Sequence, residues 1–290
     1  MQKINRNALY VFGCYVLWGI LPIFWKLLGS VNSVYVLAAR IVWSFVFCLL
    51  VLLVMRDLPK AAQALKDRKE LFRLFLCGVM ITVNWGSYIY AVNSGHILDA
   101  SLAYYLNPII SIFIGFLVFR ERLSGRQWFS VGIATIGILV PVIHYGTIPW
   151  MALVIGGSFA LYSMIKKKIK TESQISLFWE TAFMAPFALF FLSMAKVQGR
   201  GAYGVLDSVQ WLLFPISGVV TTIPLFLFAR GISKIPMSLA GILMYINPTL
   251  QFLVGVMLYG EKLELTDVIM FVCVWLALII FLMKGKEKKV

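Results

Sequence analysis

The sequence predicts an all-α membrane protein of ten transmembrane helices, arranged as two inverted five-helix repeats over residues 1–145 and 146–290. Three observations carry this expectation. Hydrophobic residues make up 61% of the chain and charged residues 13%, a balance that no soluble protein of 290 residues needs to fill its core. The chain divides into ten apolar runs near the ~20 residues of one bilayer crossing. The run LDASLAYYLNPIISIFIGFLVFRERLS (98–124) also returns as SLAGILMYINPTLQFLVGVMLYGEKL. Aligning Asn107-Pro108 with Asn247-Pro248 aligns Ala100 with Ala240, Tyr105 with Tyr245, Gly115 with Gly255, Glu121 with Glu261 and Leu123 with Leu263.

The expected spans, in order, are 8–28, 34–55, 71–91, 98–119, 125–143, 147–165, 174–195, 209–230, 237–259 and 265–283. The first follows a short basic lead, Lys3 and Arg6, with no small-x-small cleavage pattern after it, so it is read as a span and not as a signal peptide. The second contains a charge, Arg40, as does the seventh, Glu180. The fourth and ninth each hold a proline near mid-length. Proline deletes a helix hydrogen bond, so the carbonyls of Tyr104 and Met244 should lack their usual partners, and breaks at matching positions of two repeats point to a transporter's binding site. Only 56–70 and 196–208 are long enough for real loops, so the chain is one membrane domain in two halves.

Charge fixes the orientation. Of the 26 Lys and Arg residues, only Lys26, Lys196, Arg200 and Lys262 fall in segments opposite the N-terminus, and Arg40 lies inside a span. The remaining 21 gather on the N-terminal side, which the positive-inside rule makes cytoplasmic, along with both termini. This distribution explains the net charge of +14 through topology, and nucleic acid is not an expected partner. Five spans per half is an odd number, so the second half enters from the opposite face. Two inverted halves suit alternating access around a site near the midplane.

Several strings resemble a known family. A five-helix repeat with a central proline, a glycine and a trailing GE-x-L or RE-x-L resembles the EamA family of the drug/metabolite transporter superfamily. LWGILPIFWK (Trp18, Gly19, Pro22), AARIVWSF around Arg40, NWGSYIYAVNSGHILDASLAYYLNP and GGSFALYSMIKKK resemble its RarD branch, the chloramphenicol-sensitivity-type proteins. The resemblance implies a secondary transporter, and an exporter, of a small organic metabolite or drug across the bacterial cytoplasmic membrane. It places the first, third, fourth, sixth, eighth and ninth helices around a central cavity and implies no cofactor. One departure stands out: Tyr162-Ser163 occupies the place of Trp18-Gly19 in the second half, so the cavity should be asymmetric.

The residues expected along the substrate pathway are Trp18, Asn84, Trp85, Tyr88, Tyr104, Asn107, Tyr162, Tyr245 and Asn247, with Tyr105 nearby and the helix breaks at Pro108 and Pro248. Amides inside lipid need partners or a wet cavity; the bland alternative makes Asn84, Asn107 and Asn247 bonds between helices. Trp150 and Trp211, at span ends, suit the interfacial belt. Arg40 and Glu180 are repeat equivalents, and intramembrane charges are paired or functional. Inversion separates them by roughly 10 Å in depth at 1.5 Å per residue. Separate partners are therefore expected, Asp99 for Arg40 and Arg230 or Lys234 for Glu180. Coupling to protons through Glu180 is the functional alternative.

Glu121 and Glu261 are expected to cap the helix that follows each, or else to be solvated end charges. Gly132 and Gly137, and Gly13 with Gly19, permit close helix approach. His96, His144 and the four cysteines, Cys14, Cys48, Cys77 and Cys273, have neither metal-ligand nor disulfide spacing. Two rival classes remain. A membrane-embedded enzyme lacks a Walker A loop, a paired His/Asp motif or a ligand cluster. A channel could share the helices but has no need of inverted, proline-broken repeats.

Overall fold

A backbone in lipid must satisfy its own hydrogen bonds, and these apolar runs do so as helices. The computed structural model describes residues 6–94, 97–146, 150–199, 201–260 and 264–283. In order they form α1 (Arg6–Lys26), α2 (Ser33–Met55), the short α3 (Leu58–Ala64), α4 (Arg68–Asn93), α5 (Ile97–Val118), α6 (Gly125–Tyr145), α7 (Trp150–Lys168) and α8 (Ser173–Val197). A 3-10 turn (Gln210–Leu212) then leads into α9 (Leu213–Ile232), followed by α10 (Met237–Leu243), α11 (Ile246–Tyr259) and α12 (Leu265–Leu282). Among the described residues eight helical stretches are long and apolar enough to cross a bilayer, and Leu102–Val118 is a shorter apolar one.

The expected boundaries agree with most helices to within a few residues, and three differences have physical causes. Helix α7 runs on through Lys166, Lys167 and Lys168, which the sequence reading put in a loop. Two of these lysines are anchored: Lys166 by Glu180 and Ser176, and Lys167 by the carbonyls of Ile232 and Ile235 near the end of α9. The expected pair of matching breaks is also corrected. Helix α5 continues through Pro108, whereas the 237–259 run divides into α10 and α11 around Met244-Tyr245. There the Asn247 N–H reaches the Met244 carbonyl at 2.9 Å, so that carbonyl is not left free by Pro248.

The third difference is the cap. Glu121 accepts the backbone N–H groups of Met237 at 2.5 Å and Ser238 at 2.9 Å and the Ser238 hydroxyl at 2.6 Å. It therefore caps α10 and not the next helix, because Ser124 and Gln127 already close the N-terminus of α6 with a capping box. Glu261 lies outside the described residues.

Packing links the two halves. Helix α2 lies along α8 and α9, α7 along α4 and α5, α1 along α9 and α11, α10 along α5, and α6 along α12. Five of these pairs run antiparallel. Asn84 bonds the Ile155 carbonyl while Arg73 bonds that of Lys168, so α4 opposes α7. Gly231 meets the Asn7 carbonyl while Gly13 faces Leu227, so α1 opposes α9. Phe45 stacks on Phe178 while Ala38 clusters with Ala188, so α2 opposes α8. The Ser130 hydroxyl bonds the Ala277 carbonyl at 2.7 Å while Gly137 faces Cys273, so α6 opposes α12. Gly241 meets the Pro108 carbonyl and Tyr245 shares a core with Tyr105, so α5 opposes α10. Close approach uses Gly19, against Leu250 and the Asn247 carbonyl, and Gly137. Gly132 has nothing within 4 Å and Gly13 only the tip of Leu227 at 3.8 Å, so those two glycines do not serve as expected.

Candidate functional site

A cavity of about 440 Å³ opens between α1, α2, α4, α5, α7, α9 and the α10–α11 junction. Helical periodicity builds its walls. Trp18, Pro22 and Trp25 fall at i, i+4 and i+7 and form one stripe of α1. Asn84 and Tyr88 do the same on α4, Tyr104 and Asn107 on α5, and Asn247 and Gln251 on α11. Seven of the expected pathway residues meet here: Trp18, Asn84, Trp85, Tyr88, Tyr104, Asn107 and Asn247. Arg40, expected only as an intramembrane charge, brings α2 into the wall.

The amides are used in two ways. Asn84 donates to the Ile155 carbonyl of α7 at 2.7 Å, so it ties α4 to α7 while lining the cavity. Asn107 accepts the Ser111 hydroxyl at 3.2 Å and Asn247 accepts the Gln251 amide at 2.8 Å, each from the residue four later on its own helix. Both bonds occupy the side-chain oxygen and leave the NH₂ group without a protein acceptor among the described residues. Tyr88 meets Tyr104 edge to face at 5.6 Å between centroids.

Arg40 has no carboxylate partner among the described residues. Its guanidinium carbon lies 4.0 Å from the ring centre of Trp85 and 5.2 Å from that of Trp25, and its buried Nε has no hydrogen-bond acceptor. The side chain of Asp99, the expected partner, lies outside the described residues. Lys26 stands at the cavity edge with its ammonium 3.4 Å from the Tyr259 ring centre.

At the other end the cavity is closed by rings. Trp18 packs edge-on against Phe159 at 5.4 Å and lies 5.9 Å from Tyr15 and from Phe228, on which Tyr162 stacks at 6.0 Å. Tyr162 is fully buried in this layer, and Tyr245 is buried in the core shared by α5 and α12, so neither lines the cavity. Beyond the ring layer sits Glu180. Its partner is Lys166 and not the expected Arg230 or Lys234, because the α7–α8 hairpin brings the last turn of α7 against the second turn of α8. Ser176 donates to the same carboxylate at 2.6 Å and Tyr162 at 3.3 Å, and Lys166 also reaches Ser176 at 2.8 Å. Arg40 and Glu180 thus belong to separate environments.

Trp25, Thr221 and Gln251 line the cavity and were not among the expected residues, while Met244, expected for its carbonyl, lines it too. The i+7 spacing from Trp18 and the i+4 spacing from Asn247 are signals that could have identified Trp25 and Gln251. Thr221 had none. Among the described residues no three His, Cys, Asp or Glu side chains come together, and His96 lies outside them.

Comparison with known proteins places the chain. The EamA-like transporter family matches residues 5–143 and again 147–283. The transporter YojE of Bacillus subtilis (strain 168) is 39% identical over 283 residues, covering 96% of this chain and 94% of that protein. Protein RarD of Streptomyces exfoliatus is 39% identical over 276 residues, covering 95% and 88%. A solved crystal structure superposes with a TM-score of 0.71 over 96% of this chain and 98% of that one, at 16% identity, and so shares the fold.

Proposed function

Because this chain belongs to the EamA-like transporter family, in its RarD branch, we propose that it is a secondary transporter. It moves a small organic solute out of the cell, across the bacterial cytoplasmic membrane, by rocking two inverted five-helix repeats of residues 1–145 and 146–290. The observation that carries this reading is a cavity built from both halves and closed at one end by the Trp18, Phe159, Phe228 and Tyr162 rings.

The packing supports inversion. If α1, α2, α4, α5 and α6 correspond to α7, α8, α9, α10–α11 and α12, every main contact has a counterpart: α4 on α7 matches α9 on α1, and α2 on α9 matches α8 on α4. The pairs that a twofold axis in the membrane plane would relate to themselves, α2 with α8, α5 with α10 and α6 with α12, all run antiparallel, as such an axis requires. Asn107 and Asn247 lie ten residues from the starts of α5 and α10, about 15 Å at 1.5 Å per residue and so near the middle of a ~30 Å core. The open end carries Lys26 and the 28–31 connection, which the distribution of basic residues assigns to the outside. This conformation is then outward-facing. Glu180, neutralised by Lys166, is a structural group in this reading and not a proton carrier.

Counterflow in proteoliposomes tests the proposal, using solutes that raise the melting temperature in a screen of amino acids, nucleosides and aromatic compounds. A carrier exchanges labelled solute faster when unlabelled solute is present on the far side. Uptake that is unaffected by the far-side solute would indicate a channel and overturn the reading.

A further inference from the structure

We propose that the solute is an organic carboxylate whose anionic group pairs with Arg40 and whose apolar or aromatic body lies against Trp18, Trp25 and Trp85. This rests on the transport reading above and deepens it.

The observations start from charge. The described residues lining the cavity include two cations, Arg40 and Lys26, and no Asp or Glu. The two charges inside the spans are treated in opposite ways. Glu180 has an ammonium, a serine hydroxyl and a phenol on its carboxylate. Among the described residues Arg40 has two indole rings and, on its buried Nε, no acceptor.

Ring faces attract a cation but accept none of its five in-plane N–H groups. A guanidinium held inside a membrane without an acceptor is costly. Two indole rings near the guanidinium leave its in-plane N–H groups to be answered, and a carboxylate engages such a fork with two parallel hydrogen bonds. Two of the three amides at the site lean the same way: the oxygens of Asn107 and Asn247 accept from Ser111 and Gln251, which leaves their NH₂ groups as donors, whereas Asn84 spends its NH₂ group on the Ile155 carbonyl. The cavity therefore offers donors and positive charge at one place and aromatic faces around it. A cationic solute would meet Arg40 unscreened, and a neutral one would leave the fork unanswered. The volume of about 440 Å³ admits a ring-bearing acid and excludes a macromolecular partner.

The test is thermal unfolding and binding in nanodiscs with three probes, indole-3-acetate, 3-phenylpropionate and octanoate, each beside its primary amide and the corresponding amine. At least one acid should stabilise the protein while its amide and amine do not. Arg40→Gln and Arg40→Lys should weaken that acid by about 10- to 100-fold, the worth of a lost charge-assisted bond. The inference is overturned if no acid exceeds its amide, if Arg40→Gln binds the acid as well as the native chain, or if sodium chloride alone gives the same stabilisation. Should both variants fail to fold, the acid-to-amide contrast in the native chain decides by the same criterion. Counterflow separates the two readings. Acids that bind through Arg40 but never exchange refute transport and leave the site intact, whereas exchange of a neutral or cationic solute with no acid bound refutes the carboxylate and leaves transport intact.

Discussion

Replacing Lys166 with Met should destabilise the protein by about 3–5 kcal/mol. Lys166 and Glu180 are each only 3% exposed, on neighbouring helices, and neither lines the cavity. Methionine keeps most of the apolar stem and removes the ammonium, so the packing changes little and the electrostatics change fully. What remains on the Glu180 carboxylate is the Ser176 hydroxyl at 2.6 Å and the Tyr162 hydroxyl at 3.3 Å, two neutral donors for a full charge. Lys166 contributes two charge-assisted contacts, to Glu180 and to Ser176. At about 1.5–3 kcal/mol each they account for the same range as the usual cost of breaking a buried pair, about 3–5 kcal/mol. The double replacement Lys166→Met with Glu180→Leu removes both charges together and should recover much of the loss, giving a coupling energy of at least about 2 kcal/mol. SDS-driven unfolding from mixed micelles, followed by far-ultraviolet circular dichroism, measures all three. A single-variant loss below about 1 kcal/mol, or strict additivity in the double variant, would refute the structural reading of the pair. If Glu180→Gln then kept its stability but lost the dependence of transport on a pH gradient, Glu180 would be the proton carrier instead.

Three further outcomes follow from the same structure. In a background lacking Cys14, Cys48, Cys77 and Cys273, single cysteines at the exposed positions Lys66 and Ser208, in equivalent connections of the two halves, should react with an impermeant thiol reagent from opposite faces of the membrane; reaction from one face would contradict the inverted arrangement. Gly218→Ala should destabilise by at least about 1–3 kcal/mol, because the added Cβ would sit 2.4 Å from the Trp43 carbonyl carbon, whereas Gly132→Ala meets nothing within 4 Å and should be neutral in the same unfolding assay. Asn107→Leu and Asn247→Leu each remove one bond within a helix, accepted from Ser111 or from Gln251; such pairs are worth about 0.2–0.5 kcal/mol, so stability should hold while solute binding falls, and lost stability with unchanged binding would make these residues helix glue.

The all-helical character and the duplication were legible, because helices in lipid are set by apolar length and a few punctuating residues, all of which a sequence displays, and the EamA-like family matches the chain twice. The cavity stripes were legible for the same reason: Trp18 with Pro22, and Asn84 with Tyr88, repeat at helical spacing. The charge partners were not, since hairpin geometry decides them. Nothing in the order of residues says that the end of α7 turns Lys166 inward and Lys168 outward, and so Glu180 was assigned to the wrong cations. Nor does a proline say whether its helix will bend or break: α5 runs through Pro108, while the equivalent run is interrupted before Pro248, where Asn247 N–H takes up the Met244 carbonyl.

The repeat register gives a reason for this division of labour between the halves. Setting Trp18 against Tyr162 sets Pro22 against Lys166, and the 140-residue offset that relates Arg40 to Glu180 relates Val36 to Ser176. Each of the three groups that satisfy Glu180 therefore corresponds to a residue with no oxygen or ammonium to offer, and Trp18, Pro22, Val36 and Arg40 all line the cavity. Position 40 carries the opposite charge, for which an ammonium would be no partner, and among the described residues no carboxylate answers it. The charge at position 180 is met from within the chain, whereas Arg40 meets only indole faces among the described residues, and an opposite charge from outside the chain would fit there.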